Sequence, residues 1–267
     1  MELAPVRDTP LRRMLTLTAI KLLKRWCQRF GNVLFLTNKI CVKYGPFQHL
    51  SEAATMQFVA QHTSIPVPKV YCAFKYKKWT YIVMERIDGQ MVGVNWPSRP
   101  SESKKKILSQ LKAMTTELRT ICPPSDMGVA NVDGGSLYDC RIPGNSPRFG
   151  PFKTVADFHR HLRNGIEAHP NHFPEVSELI SLHEQPFPIC FTHADLSSLN
   201  ILIRGDNVVA ILDWETAGWY PCYWEYTTAW NVNPRNPFWR DEIVKFVEPY
   251  PKELAMEQLR MKYFGDF

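Results

Sequence analysis

A short stretch in the second half of the chain carries a histidine, two aspartates and an asparagine. The residues are His193, Asp195, Asn200 and Asp213, and the first three form the pattern H-x-D-x-x-x-x-N. Amide and carboxylate oxygens are the hard ligands that suit Mg²⁺ when phosphate groups complete its coordination shell. A separate carboxylate near such an ion can accept a hydroxyl proton or orient a nucleophile. These residue types therefore indicate metal-assisted chemistry at a phosphate group.

A predicted β-hairpin joins the asparagine to the second aspartate. Residues 201–204 and 208–212 have β patterns, and the Gly-Asp-Asn sequence at 205–207 between them is a strong turn signal. With the loop in the last two of these turn residues, the numbers of paired residues add up to 413. Asn200 then faces Asp213 at the open end of the hairpin. A slip of one residue would change the pairs but keep the two as neighbours.

The two groups at this open end are the predicted metal ligands, Asn200 and Asp213. Asp195 lies five residues before Asn200, so it can approach the metal without being consumed as a ligand. We assign it as the base or as the group that orients the nucleophile. His193 is the second candidate catalytic residue, with the role of bracing the loop through hydrogen bonds. Each residue alone has an ordinary explanation near a turn, but the combination favours a catalytic site.

The elements that must position these residues begin with an alternation of helices and short β-rich runs. The order is helix, β, β, helix, β, β, which predicts a small antiparallel sheet that carries one helix. Ser51 is a candidate N-cap of the second helix, and Glu52 lies in its first turn. The predicted helices are 11–30 and 50–62, and the predicted strands are 32–37, 39–44, 70–75 and 80–84.

Helices dominate the chain after Asp88-Gly89. We therefore predict an α+β fold with two lobes, an N-terminal lobe of residues 1–87 and a C-terminal lobe of residues 88–267. The densest aromatic run, 219–226, is expected to pack beneath the catalytic loop, with Glu225 as its one candidate for substrate contact. The further predicted elements are helices at 101–119, 154–168, 175–184, 223–230, 237–247 and 252–263, and a Gly/Pro-rich loop at 122–151.

Composition narrows the class of protein. The chain has 267 residues, of which 45% are hydrophobic, enough to bury a sizeable core. The net charge is +6, and the basic residues are scattered in short runs. Nucleic-acid-binding proteins usually concentrate basic charge on one face, so this pattern argues against a nucleic-acid partner. Seven cysteines without a C-x-x-C pair argue against a disulfide framework and a zinc site. No stretch reaches the roughly 18 apolar residues of a membrane span, so a cytoplasmic protein is expected.

The predicted helix at 11–30 is both amphipathic and basic. Leucines, Trp26 and Phe30 recur near helical spacing, and six arginines and lysines lie largely opposite them. Such a helix can lie on a membrane surface or pack on the first lobe. From the sequence we favour packing on the lobe.

Ordered motifs along most of the chain resemble those of the phosphotransferase enzyme family, which includes aminoglycoside phosphotransferases and choline kinases with a protein-kinase-like fold. The spacing of the catalytic loop is that of protein kinases. The residues within these motifs are similar to those of the small-molecule kinases, above all to those of a fungal branch of the family. The matching phrases are Val42–Gly45, Glu52–Ala53, Ile65–Pro68, Tyr81–Glu85, Gly150–Phe152, Thr192–Leu196, Ile211–Glu215 and Glu225–Tyr226.

This resemblance implies an activity and the other half of the site. The activity is transfer of the γ-phosphoryl group of ATP or GTP, with Mg²⁺, to a hydroxyl of a metabolite or an aminoglycoside-like small molecule. Lys43 would contact the α- and β-phosphates, with Glu52 as its ion-pair partner. Glu85 and Ile87 would form the hinge, where a backbone carbonyl and a backbone amide bind the edge of a purine base.

Departures from the family pattern leave a second hypothesis open. Gly31 is the one glycine shortly before the strand of Lys43, so no glycine-rich phosphate loop is visible. Ala194 and Ser198 replace the glycine and proline of the common H-G-D-L-x-P-x-N loop, and alanine is strained there if the position has a positive φ. The alternative is a catalytically weak pseudokinase that binds a nucleotide or a partner. A protein kinase is disfavoured because no A-P-E segment follows Asp213.

Overall fold

The computed structural model describes residues 4–139, 141–142, 146, 148–231 and 237–265. The chain divides into two compact units. The sheet unit comprises the residues up to 110 together with 198–215, and the helical unit comprises 111–197 and the residues from 216 onwards. The predicted boundary after residue 87 lies inside the sheet unit, because the hairpin that begins at Ile201 pairs with residues 90–91.

A five-stranded antiparallel sheet forms the centre of the sheet unit, as the alternation of elements predicted. Its strand order is β1-β2-β3-β5-β4. Its core includes the buried residues Leu34, Val42 and Phe74 together with Ile20 of the first helix. The strands are β1 Arg29–Phe30, β2 Val33–Phe35, β3 Ile40–Gly45, β4 Val70–Tyr76 and β5 Trp79–Glu85.

The first helix is shorter than predicted. Helix α1 spans Pro10–Leu23, with Thr9 as its N-cap. The prediction that it continued to Phe30 was wrong, because Arg29–Phe30 forms strand β1 and pairs with β2. Gly31 has a φ of +54° in the two-residue turn between these strands, a conformation that glycine adopts readily. The turn therefore favours a hairpin here over continuation of the helix.

The second helix, α2, spans Leu50–His62, as predicted. Its N-cap is His49, whose side chain accepts the Ser51 N–H, so the assignment of Ser51 as the cap was wrong by two residues. The consequence for the site is unchanged, since Glu52 lies in the first turn of the helix.

The hairpin between Asn200 and Asp213 has a register one residue away from the predicted one at its open end. Strands β10 (Ile201–Arg204) and β11 (Asn207–Ile211) pair Ile201 with Ile211, and a bulge follows beyond Leu202. The turn is Gly205-Asp206, because Gly205 takes the positive φ, +61°, of the first turn position. Strand β6 (Gln90–Met91) completes this sheet.

The helical unit contains most of the remaining elements. The predicted helix at 154–168 ends early, at Leu162, and the predicted helix at 237–247 ends at Ile243. None of the described helices is both long and apolar enough to cross a membrane. The elements are α3 Ser101–Arg119, which contributes to both units, α4 Val155–Leu162, α5 Pro174–His183, α6 Trp224–Asn231, α7 Phe238–Ile243, α8 Pro251–Phe264, and the short strands β7 Leu137–Tyr138, β8 Arg148–Phe149, β9 Ile189–Thr192 and β12 Gly218–Pro221.

Aromatic side chains form the core of the helical unit, as expected for residues 219–226. Tyr220 and Tyr223 have no exposed surface, and Trp224 is also buried. Their cluster includes Phe158 of α4 and Ala194 of the loop that carries Asp195. The packing role predicted for this run is confirmed, and it places a rigid support next to the loop.

Two histidines are buried against this core in their neutral form. The rings of His159 and His183 stack at 4.2 Å between centroids. The His159 Nδ1–H donates to the His183 carbonyl at 2.8 Å, so its Nε2 accepts the Tyr223 hydroxyl at 2.7 Å. Burial lowers the pKa of His159 to about 4 and that of His183 to about 2.

We expect this pair to make the fold sensitive to acid. An unfolded histidine binds a proton below about pH 6.5, whereas the folded His159 stays neutral to about pH 4. Stability therefore falls as the pH drops through this window, by about 2 kcal/mol at pH 5 for His159 alone. Urea unfolding at pH 7.5 and pH 5 measures this loss, which His159→Asn should reduce. His169→Asn, at an exposed position, is the control, and an equal loss in all three proteins would contradict the expectation.

Candidate active site

One lysine in the sheet unit contacts three carboxylates. From the Nζ atom of Lys43, the distances are 2.9 Å to Glu52, 2.7 Å to Asp213 and 3.0 Å to Glu215. The side chains of Lys43 and Glu52 are buried, whereas those of Asp213 and Glu215 are 36% and 27% exposed. An ammonium group has three N–H donors, enough for one to each carboxylate. The contact between Lys43 and Glu52 that the sequence suggested is present.

This group of four side chains contains one basic group and three acidic groups. Burial acts to lower the pKa of Lys43, but the three carboxylates outweigh it and hold its pKa well above the usual range. Burial raises the pKa of Glu52 and of Glu215; the charge of Lys43 acts to lower both pKa values, and the nearby carboxylate of Asp213 acts to raise them. One ammonium therefore faces three acidic groups. A second cation would be stabilised at this place.

Strand β3, helix α2 and the segment that follows β11 bring the group together. Lys43 lies on β3, between the neighbouring strands β2 and β5. Glu52 comes from the first turn of α2. Asp213 follows β11 with a φ of +63°, a conformation that aspartate tolerates better than most residues. The 3₁₀ turn Trp214–Thr216 then carries Glu215, which was missed among the site residues although its signal is the second carboxylate in Asp-Trp-Glu.

A cavity of about 460 Å³ opens beside this group. This volume lies within the range of small-molecule pockets, roughly 300 to 1,000 Å³. The cavity is lined by all six residues that were predicted to bind nucleotide or metal: Lys43, Glu52, Glu85, Ile87, Asn200 and Asp213.

The hairpin of β1 and β2 supplies another wall of the cavity. Its turn residues, Gly31 and Asn32, both line the space, as does Phe30. The sequence showed no glycine-rich loop, yet a two-residue turn with one glycine places backbone next to the cavity. Successive backbone N–H groups in such turns can bind anions. The overlooked signal was the Gly-Asn pair between two β-forming segments.

Backbone hydrogen bonds hold the end of β5 and the residue that follows it. The Glu85 N–H donates to the Lys69 carbonyl and the Arg86 N–H to the Lys39 carbonyl, both at 2.9 Å. Within the described part of the chain, the Ile87 amide has no hydrogen-bond partner. Since Ile87 lines the cavity, this donor is available to a ligand there.

The oxygen donors at the carboxylate end of the cavity suit Mg²⁺. The carboxylates of Glu52, Asp213 and Glu215 offer atoms within 4.8 Å of one another. Asn200 lines the same cavity, and its backbone carbonyl accepts the Leu212 N–H at 2.8 Å, which ties it to the segment before Asp213. Hard oxygen donors of this kind are the ligands that Mg²⁺ prefers. The donor set fits the ion, with Glu215 as a further candidate ligand.

In the helical unit, a buried glutamate holds the loop that carries Asp195. The two carboxylate oxygens of Glu225 accept the backbone N–H groups of His193 and Ala194, at 2.7 and 3.0 Å. His193 is also buried, and its Nδ1 accepts the Asp195 N–H at 3.1 Å. Glu225 is 2% exposed. Glu225, the one candidate for substrate contact in the aromatic run, therefore organises the loop through both of its carboxylate oxygens.

Ala194 lies where the family pattern has glycine, and its backbone has the strained conformation that the sequence analysis considered. Its φ is +64°, in the left-handed region that costs a non-glycine residue roughly 1 to 2 kcal/mol. The residue is fully buried in the aromatic core, and its N–H is bonded to Glu225. Packing and this hydrogen bond hold the strained conformation in place.

Arg141 is a further residue of the loop that the sequence did not single out. Its guanidinium donates to the Ala194 carbonyl at 2.6 Å and forms an ion pair with Asp139, also at 2.6 Å. Burial acts to lower the pKa of Arg141, but the charges of Asp139 and Asp195 outweigh it and raise the pKa. A permanent positive charge therefore lies in the electrostatic environment of Asp195.

We expect Glu225→Gln to destabilise the protein by about 1 to 3 kcal/mol, because the amide nitrogen of glutamine would oppose one of the two loop N–H groups and leave it unsatisfied. Chemical denaturation measures the difference. Glu178→Gln, at an exposed position on α5, is the matched control and should change stability by no more than about 0.5 kcal/mol. Equal effects of the two substitutions would contradict the role of Glu225.

The comparisons with known proteins agree with this geometry. The family model described as "Phosphotransferase enzyme family" matches residues 48–258. A search of curated protein sequences finds no match.

Solved structures of aminoglycoside phosphotransferases share the fold. APH(4)-Ia is 15% identical, with a TM-score of 0.62 over 93% of this chain and 90% of that chain. A thermostable mutant of the same enzyme in a ternary complex with ADP and hygromycin B is 14% identical, with a TM-score of 0.60 over 91% and 88%. The gentamicin complex of APH(2")-IIa is 12% identical, with a TM-score of 0.58 over 96% and 87%.

These likenesses confirm the predicted α+β, protein-kinase-like fold. Because the family model covers most of the chain, this protein belongs to the phosphotransferase enzyme family.

Proposed function

We propose that the protein transfers the γ-phosphoryl group of ATP, with Mg²⁺, to a hydroxyl group of a small molecule. The observation that carries this proposal is the contact of Lys43 with three carboxylates at one end of a cavity whose wall also contains the hinge segment. A cavity of this kind offers backbone groups to a base and paired charges to phosphates. The family match and the ADP and ATP complexes of the structural neighbours support the nucleotide.

The residues of the cavity would divide the binding of the nucleotide between them. The Ile87 amide, together with the Glu85 carbonyl, would bind the edge of the purine, a mode that does not by itself separate ATP from GTP. Lys43 would exchange its contacts with Asp213 and Glu215 for contacts with the phosphates. Its ion pair with Glu52 would remain and hold the ammonium in position. Asn200 and Asp213 would hold Mg²⁺, which neutralises charge on the phosphates when bound.

Asp195 would take the proton of the acceptor hydroxyl or orient that hydroxyl for attack. It lies five residues before Asn200 in the chain, on the loop whose backbone Glu225 and His193 hold. His193 would act as a brace, since its ring nitrogen already accepts the Asp195 N–H. Most of the rate gain would come from position and charge, because phosphoryl transfer requires little covalent chemistry of the protein.

The acceptor is proposed as a metabolite or an aminoglycoside-like alcohol. Hygromycin B, gentamicin and streptomycin occur in the complexes of the structural neighbours. Residues 222–267 hold seven acidic and six basic side chains, a balance that favours a less cationic acceptor. Because ATP is an intracellular substrate, we propose a cytoplasmic location.

A catalytically weak, nucleotide-binding protein is the second candidate. The observation that favours it is the positive φ of Ala194, the residue directly before Asp195. Strain at this place could hold the loop away from a productive geometry. Such a protein would bind the nucleotide in the cavity without turnover.

We expect wild-type protein to form ADP from ATP and Mg²⁺ in the presence of an accepted alcohol. A panel of aminoglycosides, choline, sugars and sugar alcohols, followed by mass spectrometry of the product, identifies the acceptor. Asp195→Asn should lower kcat by about 100- to 10,000-fold while the affinity for ATP is retained.

Asp126→Asn is the matched control for this assay, because Asp126 is exposed and also has a positive φ. It should keep the wild-type rate. Binding of ATP without turnover on any acceptor would favour the second candidate, and full activity of Asp195→Asn would exclude the proposed role of Asp195.

A further inference from the structure

The first helix of the sheet unit presents an apolar face to solvent. Leu11, Met14, Leu15 and Leu22 of α1 are 57 to 60% exposed, and Trp26 in the turn that follows is 80% exposed. Their spacing places them on one side of the helix, continued by the tryptophan. We call this set the outer stripe.

The outer stripe is not the face by which α1 packs on the sheet. Thr16 and Ile20 are the buried residues of the helix. Ile20 belongs to the core of the sheet unit, and Leu17 packs against that core. The helix therefore has a core-facing side that is already covered and a second apolar side that is exposed.

Basic side chains surround the outer stripe. The segment from residue 7 to residue 29 contains seven arginines and lysines and one acidic residue, Asp8, whose carboxylate forms an ion pair with Arg13. Most of the basic residues on and after the helix are exposed, namely Arg12, Lys21, Lys24, Arg25 and Arg29.

This pattern favours a negatively charged partner with an apolar interior. A second copy of the chain, docked through the same face, would bring two basic segments together, and like charges across an interface are unfavourable. An anionic bilayer offers phosphate and carboxylate groups to the basic residues and acyl chains to the stripe. A tryptophan at the end of the stripe suits the boundary between headgroups and chains.

We propose that α1 docks the protein on the surface of an anionic phospholipid bilayer. The helix lies in the plane of the interface, with Leu11, Leu15 and Leu22 in the acyl region and the surrounding arginines and lysines at the headgroups. Strand β1 follows directly and contributes Phe30 to the wall of the cavity. The docked helix therefore connects through one short turn to the proposed nucleotide site.

Sedimentation of the full chain with vesicles tests this proposal without any assay of activity. We expect binding to vesicles of phosphatidylcholine with 30% phosphatidylserine, and at least tenfold weaker binding to phosphatidylcholine alone. Lys21→Gln, Lys24→Gln and Arg25→Gln together should weaken binding by about 100-fold, since each basic residue near such a surface contributes about a factor of five. The variant Leu15→Gln/Leu22→Gln should weaken it at least tenfold.

Two control variants separate the effect of α1 on vesicle binding from the effects of the total charge and the total apolar content of the protein. The triple variant Lys105→Gln, Lys153→Gln and Lys252→Gln removes the same charge at exposed positions outside α1. The variant Phe173→Gln/Val244→Gln removes exposed apolar side chains of the helical unit. Both should bind like the wild type, and circular dichroism confirms that each variant is folded.

Three outcomes would overturn the proposal. One is wild-type protein that does not sediment with anionic vesicles. Another is binding that the substitutions in α1 and the control substitutions reduce equally. The third is a dimer in analytical ultracentrifugation without lipid that Leu15→Gln/Leu22→Gln dissociates, which would assign the outer stripe to a second copy of the chain.

Discussion

The ammonium group of Lys43 is the charge around which the sheet unit is arranged. It is buried and contacts Glu52, Asp213 and Glu215 within 3.0 Å. A buried charge is tolerated when partners satisfy it, and these partners come from the first turn of α2 and from the segment that follows β11. One positive charge among three acidic groups leaves room for a further cation. The same arrangement that stabilises the lysine therefore suits the binding of metal and phosphate that we propose for this cavity.

Glu225 is a second buried charged residue, and it organises part of the helical unit as Lys43 organises the sheet unit. Its carboxylate accepts two backbone N–H groups of the loop before Asp195, and the aromatic core holds Ala194 at a positive φ. The loop is thus fixed by backbone contacts and by packing, with His193 as an internal brace. Asp195 follows directly in this loop, so the backbone contacts that hold His193 and Ala194 also fix the position of its backbone.

Local patterns predicted the elements well, and the errors arose where long-range contacts decide. The bounds of helix α2 were predicted correctly from the local sequence. The end of α1 was missed because Phe30 forms a strand only through its partner Val33. The hairpin register differed by one residue, since the positive φ of Gly205 sets the turn.

Lys43 with Glu52 came from a motif, but Glu215 and Arg141 were missed because their roles depend on contacts distant in sequence. The sequence left Glu225 as a candidate for substrate contact because it cannot show that both oxygens of this side chain accept loop N–H groups.

The most direct measurement of the central claim is a calorimetric titration of ATP into the protein with and without Mg²⁺, on the wild type, on Asp213→Asn and on the control Asp126→Asn. If the carboxylates around Lys43 prepare a metal-nucleotide site, the wild type and the control bind one ATP per chain in a Mg²⁺-dependent manner. Asp213→Asn should then lose at least tenfold in affinity when Mg²⁺ is present. Equal affinity with and without the ion, or an affinity that Asp213→Asn leaves unchanged, would contradict the account.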